Sequence, residues 1–349
     1  MRFSWRAALG VLVSLASLWW AVRDISVAEV LHEVRGADPW LFSLAILLAT
    51  LGIPIRALRW QSLLRGLGSV PWGPRMAATS IGFAANNVLP ARVGEIARAV
   101  SLQRLARVPL GGVLGSLVLE RIFDAVVLLA FLFGSMASPG FPAGVELGGV
   151  DPRVATRWLA GATAILALLL ALAAFLPGVV LGTADRMAEV LLPRIVRRPF
   201  RAALHSFVAG LAVLRQPRLF AVALAWSVAQ WAVLGYSYDL GLRAFGIDGV
   251  GYAGALFLQS ATAFAFAVPS SPGFFGPFEA AVKLVLRLWD VPDGPAVSFA
   301  IGFHLGGFGT VTLLGFYYLW RSGLRWSEVE RGAESAERNA PSASSVAGA

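Results

Sequence analysis

The sequence predicts an all-α polytopic membrane protein. Its plan is six full spans plus two oppositely oriented re-entrant helical hairpins, arranged as an inverted repeat. Three observations lead there. The chain is 57% hydrophobic and only 14% charged, with a mean hydropathy of +0.71, far from the soluble average. Six apolar runs are long enough to cross a bilayer. Two further runs are each broken by a Pro/Gly motif and resume as a Glu-bearing, helix-like stretch.

The first run, Ala7 to Val22, is followed by Arg23-Asp24 and not by a small-residue cleavage site, so it reads as a retained helix and not as a signal peptide. The other full spans are 40–60, 110–137, 157–181, 219–245 and 294–320. Arginine asymmetry orients them. Arg2 and Arg6 put the N-terminus in the cytoplasm, and the acid-containing segment 23–38 falls outside. Arg56, Arg59, Arg65 and Arg75 bring the chain back to the cytoplasm. The Gly/Pro-rich segment 138–156 is outside, the arginine-rich 182–217 inside, and Arg321 and Arg325 place the C-terminus inside.

Six spans already return both ends to one side. The broken runs, 75–107 and 250–289, must then each enter and leave by the same face, the first from the cytoplasm and the second from outside. Halves 40–137 and 219–320 thus have opposite topology, a transporter-like plan. Either hairpin read as two short spans gives eight or ten crossings instead. The expected organisation is one membrane domain over 1–325 and a disordered cytoplasmic tail over 326–349, rich in Ser, Ala, Glu and Gly.

Composition also excludes function classes. There is no cysteine, hence no disulfide, thiolate metal site or thiol chemistry. His32, His205 and His304 are scattered and make no metal site, and no cofactor is expected. The net charge of +9 is carried by arginine, with Lys283 the sole lysine. These cations flank apolar spans, which argues against nucleic acid. No nucleophile–base pair and no catalytic-sized soluble segment stands out, so the expectation is that the chain is not an enzyme. Two rival readings are a membrane-embedded enzyme or subunit of lipid-linked glycan or envelope lipid synthesis, and a scaffold that positions envelope enzymes.

The chemistry-bearing motifs are few. The first break is Asn86-Asn87-Val88-Leu89-Pro90-Ala91-Arg92-Val93-Gly94-Glu95, with Arg98 one turn on. An interrupted helix frees backbone N–H groups that hydrocarbon cannot satisfy. A helix N-terminus favours phosphate or carboxylate, and Arg92 and Arg98 would add planar, bidentate donors. The plainer reading is that Glu95 caps its own helix. The second break is Pro269-Ser270-Ser271-Pro272-Gly273-Phe274-Phe275-Gly276-Pro277-Phe278-Glu279, where capping by Glu279 is the stronger alternative and Lys283 would offset its charge. Glu120-Arg121-Ile122-Phe123-Asp124 lies mid-span, where each charge costs roughly 2.5–3.5 kcal/mol. Glu120 and Asp124 share a face and cannot both ionise without a cation nearby. They either brace helices or handle substrate and protons. His304 occupies the comparable site in the second half, and Asp239 with Arg243 makes an interfacial i,i+4 pair.

Segment 182–217 alternates Met187, Val190, Leu191, Ile195 and Val196 with arginines at helical spacing. It reads as a topology anchor or as a helix lying on an anionic inner leaflet.

Together, Arg59-Trp60, the run Asn87 to Arg98, Glu120 to Asp124 and Pro269 to Glu279 resemble the lysylphosphatidylglycerol synthase transmembrane-region family, over about 5–325. Phe274-Phe275 and Pro277 depart from the small residues more usual there. The resemblance implies a stand-alone flippase-like module, without the aminoacyl-transfer domain, in the bacterial cytoplasmic membrane. Its substrate would be a phospholipid or polyprenyl-linked lipid. On that reading Asn87, Pro90, Arg92, Gly94, Glu95, Arg98, Glu120, Arg121, Asp124, Pro272, Gly273, Gly276 and Glu279 line the head-group path. A homo-oligomer and an envelope-enzyme partner are both compatible with it.

Overall fold

The computed structural model describes residues 5–327 except 24, 90–92, 143–150, 192–196, 198–199, 203, 206, 209–210 and 266–271. Among these residues the chain is helix joined by turns, with no strand. The helices used below are α1 (Trp5–Val22), α2 (Val27–Gly36), α3 (Pro39–Leu63), α4 (Trp72–Val88), α5 (Gly94–Ala106) and α6 (Leu110–Met136). The chain continues through α7 (Pro152–Phe175), α8 (Pro177–Leu191), α9 (Pro217–Ala244), α10 (Gly251–Ala265), α11 (Pro277–Leu286) and α12 (Asp293–Arg321).

Local chemistry sets several helix starts. Asp38 accepts from the N–H groups of Trp40 (2.8 Å) and Leu41 (3.0 Å), with Pro39 at the first helical position of α3. Asp151 accepts from Arg153 N–H at 2.8 Å ahead of Pro152 on α7. An aspartate cap plus a preset proline φ satisfies orphan donors where a helix must begin. Among the described residues, four helices, α3, α7, α9 and α12, are long and apolar enough to cross a membrane. α6 is as long, at 27 residues, but carries Glu120, Arg121 and Asp124. α1 has 18 residues.

Five of the six predicted spans each coincide with one helix, and the all-α membrane class stands. The span expected at 157–181 ends earlier, at Phe175. Leu176 leaves the helical region (φ −120°, ψ 52°), because Pro177 disfavours α geometry in the residue before it. The broken runs form α4/α5 and α10/α11, of 17, 13, 15 and 10 residues, each short of the roughly 20 a span requires. The tail expected after 325 lies, beyond Ser327, outside the described residues.

The centre of the bundle is the α3–α9 pair. It is antiparallel: Asp38 N–H donates to Ala244 O at 2.8 Å, Ser237 Oγ to Ala45 O at 2.7 Å, and Arg59 Nη1 to Ser227 Oγ at 2.9 Å. Helices α4 and α5 sit between the end of α3 and the start of α6, and α10 and α11 between the end of α9 and the start of α12. α12 packs on α4, and α6 packs on α10. Small residues bring these helices close, as is common where lipid provides no hydrophobic drive. A Cβ on Gly315 would lie 2.6 Å from Ser80 O, and one on Gly94 would lie 2.2 Å from Gly82 O. Two apolar cores flank the central pair. One is built on Phe257, Phe299 and Leu286. The other is built on Trp60, Leu63 and Leu117.

Candidate functional site

The first site is assembled where α5 begins. Asn86, in the last turn of α4, folds its side chain back so that Oδ1 accepts from Gly94 N–H at 2.9 Å. It supplies the cap that Val93 lacks. One turn further, Arg98 is buried and aims its fork at Glu120, with Nη1 to Oε1 at 2.8 Å and Nη2 to Oε2 at 3.1 Å. Its guanidinium carbon lies 3.9 Å from the centre of the Trp60 ring. Bidentate pairing and ring stacking are the two things arginine does that lysine cannot.

Glu120 and Asp124 lie within four arginines. Glu120, with no exposed surface, also meets Arg59 Nη2 (3.0 Å), Arg56 Nη1 (3.3 Å) and Arg121 Nη2 (3.0 Å). Asp124 accepts from Arg59 Nη1 (2.5 Å), Arg56 Nη1 (3.2 Å) and Trp231 Nε1 (2.9 Å). Gln230, oriented with its amide oxygen toward Arg56, accepts from Nε at 3.2 Å and Nη2 at 2.9 Å. Arg121 is half-exposed and reaches Glu95 at 3.3 Å. Four guanidiniums, Arg56, Arg59, Arg98 and Arg121, thus face three carboxylates, Glu95, Glu120 and Asp124. One positive charge is left over in a site largely closed to water. Among the described residues, the buried Nε atoms of Arg59 and Arg98 have no hydrogen-bond acceptor. A buried, uncompensated cation is expensive, and an anion is what would complete the site.

The second site is built differently. The turn Pro272–Phe274 leads into α11 through Gly273 (φ +74°) and Gly276 (φ +95°). Glu279 Oε2 accepts from Gly276 N–H at 2.6 Å, which is the capping role the sequence offered. Its other oxygen lies 2.6 Å from His304 Nδ1, and His304 Nε2 lies 2.7 Å from Gly273 O. The imidazole stacks on Phe275 and tilts against Phe278. Lys283, expected beside Glu279 as its counter-charge, donates to Ala21 O at 3.0 Å and pairs with Asp293 at 3.2 Å.

The predicted residues therefore divide. Gly94, Glu95, Arg98, Glu120, Arg121 and Asp124 come together in one cluster, while Gly273, Gly276 and Glu279 join His304 in another, beside Pro272. Asn87 ties the first hairpin to α12, donating to Thr312 Oγ1 at 2.8 Å. Pro90 and Arg92 lie outside the described residues. Arg56 and Arg59 were read as loop markers of topology, yet they are buried in the cluster, and Arg75 is tied to Val70 O and Ala57 O. Of those four arginines Arg65 stays exposed. The signal was available: Arg56 and Arg59 fall within the apolar run 40–60, where a charge calls for a partner. Asn86, Gln230 and Trp231 carried no comparable signal. Arg243 and Asp239 pair at 2.9 Å as their spacing suggests.

Fold and site define a helical membrane protein with charged machinery buried among its helices. The profile of the lysylphosphatidylglycerol synthase TM region matches residues 7–315, and the chain belongs to that family. It is also 26% identical over 321 residues to a protein named Glycosyltransferase AglD from Haloferax volcanii; the match covers 83% of this chain and 50% of that relative. The chain thus spans about half the length of the curated relative it matches. The expectation that the chain is not an enzyme is corrected here, because a relative matched over most of this chain is named a glycosyltransferase.

Proposed function

We propose that this chain is the membrane-embedded component of a system that synthesises lipid-linked glycan or a related envelope lipid, and that its arginine cluster receives the phosphate of the lipid. The observation that carries this reading is the positive charge left over among Arg56, Arg59, Arg98 and Arg121. A lipid phosphate is an anion that arrives from within the bilayer with its tails still in lipid. Guanidinium forks suit its oxygens. The name of the glycosyltransferase relative supports the glycan side of the reading, and the family supports the lipid side.

The test is glycosyl transfer from a labelled nucleotide sugar to a polyprenyl phosphate in membranes with and without the chain. Binding of polyprenyl phosphate and of the phosphate-free polyprenol to the purified protein is measured in parallel. We expect transfer to fall without the chain, and binding to favour the phosphate form and weaken in Arg98→Lys. Equal binding of both lipids sinks the phosphate site.

A second reading, translocation of the lipid between leaflets, draws on the packing. The α4/α5 and α10/α11 pairs are anchored at opposite ends of the antiparallel α3–α9 pair, and the 272–274 turn packs on α4. On this reading both pairs are re-entrant hairpins of an inverted repeat, with N- and C-termini cytoplasmic and 182–217 resting on an anionic leaflet. The exposed Met187 and Val190 of α8 would face lipid there. Cysteines placed at Gly36 and Gly148 of this Cys-free chain should then label from outside, and those at Gly68 and Arg198 only after permeabilisation. Labelling of all four from one side removes the topology. Leaflet accessibility of a fluorescent lipid in proteoliposomes tests the movement itself.

A further inference from the structure

We propose that Glu279 and His304 form a proton-binding site that latches the 272–276 turn, so that the second hairpin opens when the proton leaves. The site stands apart from the arginine cluster and does not depend on what that cluster binds.

The proton count follows from the partners. A backbone carbonyl only accepts, so the 2.7 Å contact with Gly273 O puts a hydrogen on His304 Nε2. The 2.6 Å contact between His304 Nδ1 and Glu279 Oε1 then holds one proton between a nitrogen lone pair and a carboxylate oxygen. It is shared as imidazolium with carboxylate or as imidazole with carboxylic acid. Glu279 is buried and His304 nearly so, with side chains 1% and 11% exposed. Loss of that proton to water leaves a lone pair facing a carboxylate oxygen at contact distance, which is repulsive in a site closed to solvent. The imidazole must then withdraw and release Gly273 O.

What that release removes is the side-chain hydrogen bond on Gly273 O, and the Phe275 ring stacked on the same imidazole moves with it. Gly273, Phe274 and Gly276 all have positive φ, at 74°, 63° and 95°. The two glycines take such backbone freely, but at Phe274 it persists only where the surroundings over-determine it. Glu279 fixes Gly276 through its N–H, and His304 fixes Gly273 through its carbonyl, so one shared proton ties both ends of the turn together.

Other charges on the packed elements have partners of their own or lie far off. Lys283, one turn along α11, is held by Ala21 O and Asp293, and Asp293 also takes Arg287. α2 brings Glu29 to Gly294, ten residues and roughly 15 Å along α12 from His304. Arg56 and Arg59 of α3, and Asp239 and Arg243 of α9, sit in their own pairs. α10 carries Tyr252 at its far end, and α4 brings the neutral Asn87.

The test uses the full chain in nanodiscs with a single cysteine, Phe274→Cys, labelled with a maleimide across pH. Each measurement is made with Glu279 native and with Glu279→Gln. The glutamine amide accepts from Gly276 N–H and donates to Nδ1 of a neutral imidazole, so it keeps the latch shut without the shared proton. The labelling ratio of native to E279Q cancels the titration of the thiol itself. It should start near unity at low pH, climb by up to about tenfold per pH unit as the proton is lost, and level off once it is gone. A ratio independent of pH overturns the proposal. Should E279Q fail to fold, 15N-histidine NMR of the otherwise native protein with His32→Gln and His205→Gln decides it. Expected is a protonated Nε2 and an Nδ1 signal that titrates with labelling. An unprotonated Nε2, or no His304 titration over the folded range, overturns the latch.

Discussion

The two halves of this protein solve the same packing problem with opposite chemistry. Each half wedges a broken pair of helices between two long ones, and each buries charge where the second broken helix meets its neighbour. In the first half α5 presents a cation, Arg98, to a carboxylate on α6. In the second, α11 presents a carboxylate, Glu279, to an imidazole on α12. Arginine stays charged at any pH the cell meets, so the first site carries a fixed surplus of positive charge and suits an anion. In the proposed latch His304 and Glu279 share one proton, so the second site is one proton from losing its bonds. The first broken pair therefore supports a permanent electrostatic site, and the second the proposed titratable fastening.

The largest expected effect breaks the comparison at its charged end. Glu120→Gln strands Arg98 and Arg59 in a buried site and should cost about 3–5 kcal/mol, read as a lowered melting temperature in detergent. Glu279→Gln preserves both of its hydrogen bonds and should cost well under half as much. Equal losses from the two would show that the halves do not differ in kind.

Backbone substitutions come next. Gly276→Ala meets a φ of +95° and sets a Cβ 2.1 Å from Ser14 O, so about 3 kcal/mol is expected. Gly94→Ala has ordinary backbone but clashes with Gly82 O and with the Asn86 side chain that caps it, so about 1–3 kcal/mol is expected. The order of the two, measured as detergent stability, tests whether the second turn is the more strained. Asn86→Ala leaves Gly94 N–H without its side-chain acceptor and should cost about 1 kcal/mol. Arg243→Ala removes the half-exposed partner of the buried Asp239, and a loss of roughly 1 kcal/mol, the low end for leaving a buried acceptor unpaired, is expected in the same assay.

Much of the frame was legible in the chain. Span positions follow from apolar length, and Asp-Pro starts such as Asp38-Pro39 and Asp151-Pro152 mark helix entries by local capping alone. Glu120 and Asp124 announced a missing cation, because two carboxylates on one face in low dielectric need one. Which cation was not legible. Arg56 and Arg59 lie more than sixty residues earlier, and their spacing is equally that of a cytoplasmic loop marker. The same holds for Lys283, whose nearest sequence partner is Glu279 but whose described partners include Asp293 and Ala21 O.

Composition and periodicity thus determined the all-helical membrane class, the six long runs and the two broken ones, since these depend on transfer free energy and local backbone preference within a few turns. Tertiary structure alone decided which charges meet. Burial selects partners by proximity across helices and not along the chain, so Arg98 reaches Glu120, Trp231 reaches Asp124, and His304 closes on Glu279 and Gly273. The chemistry of both sites follows from those long-range pairings.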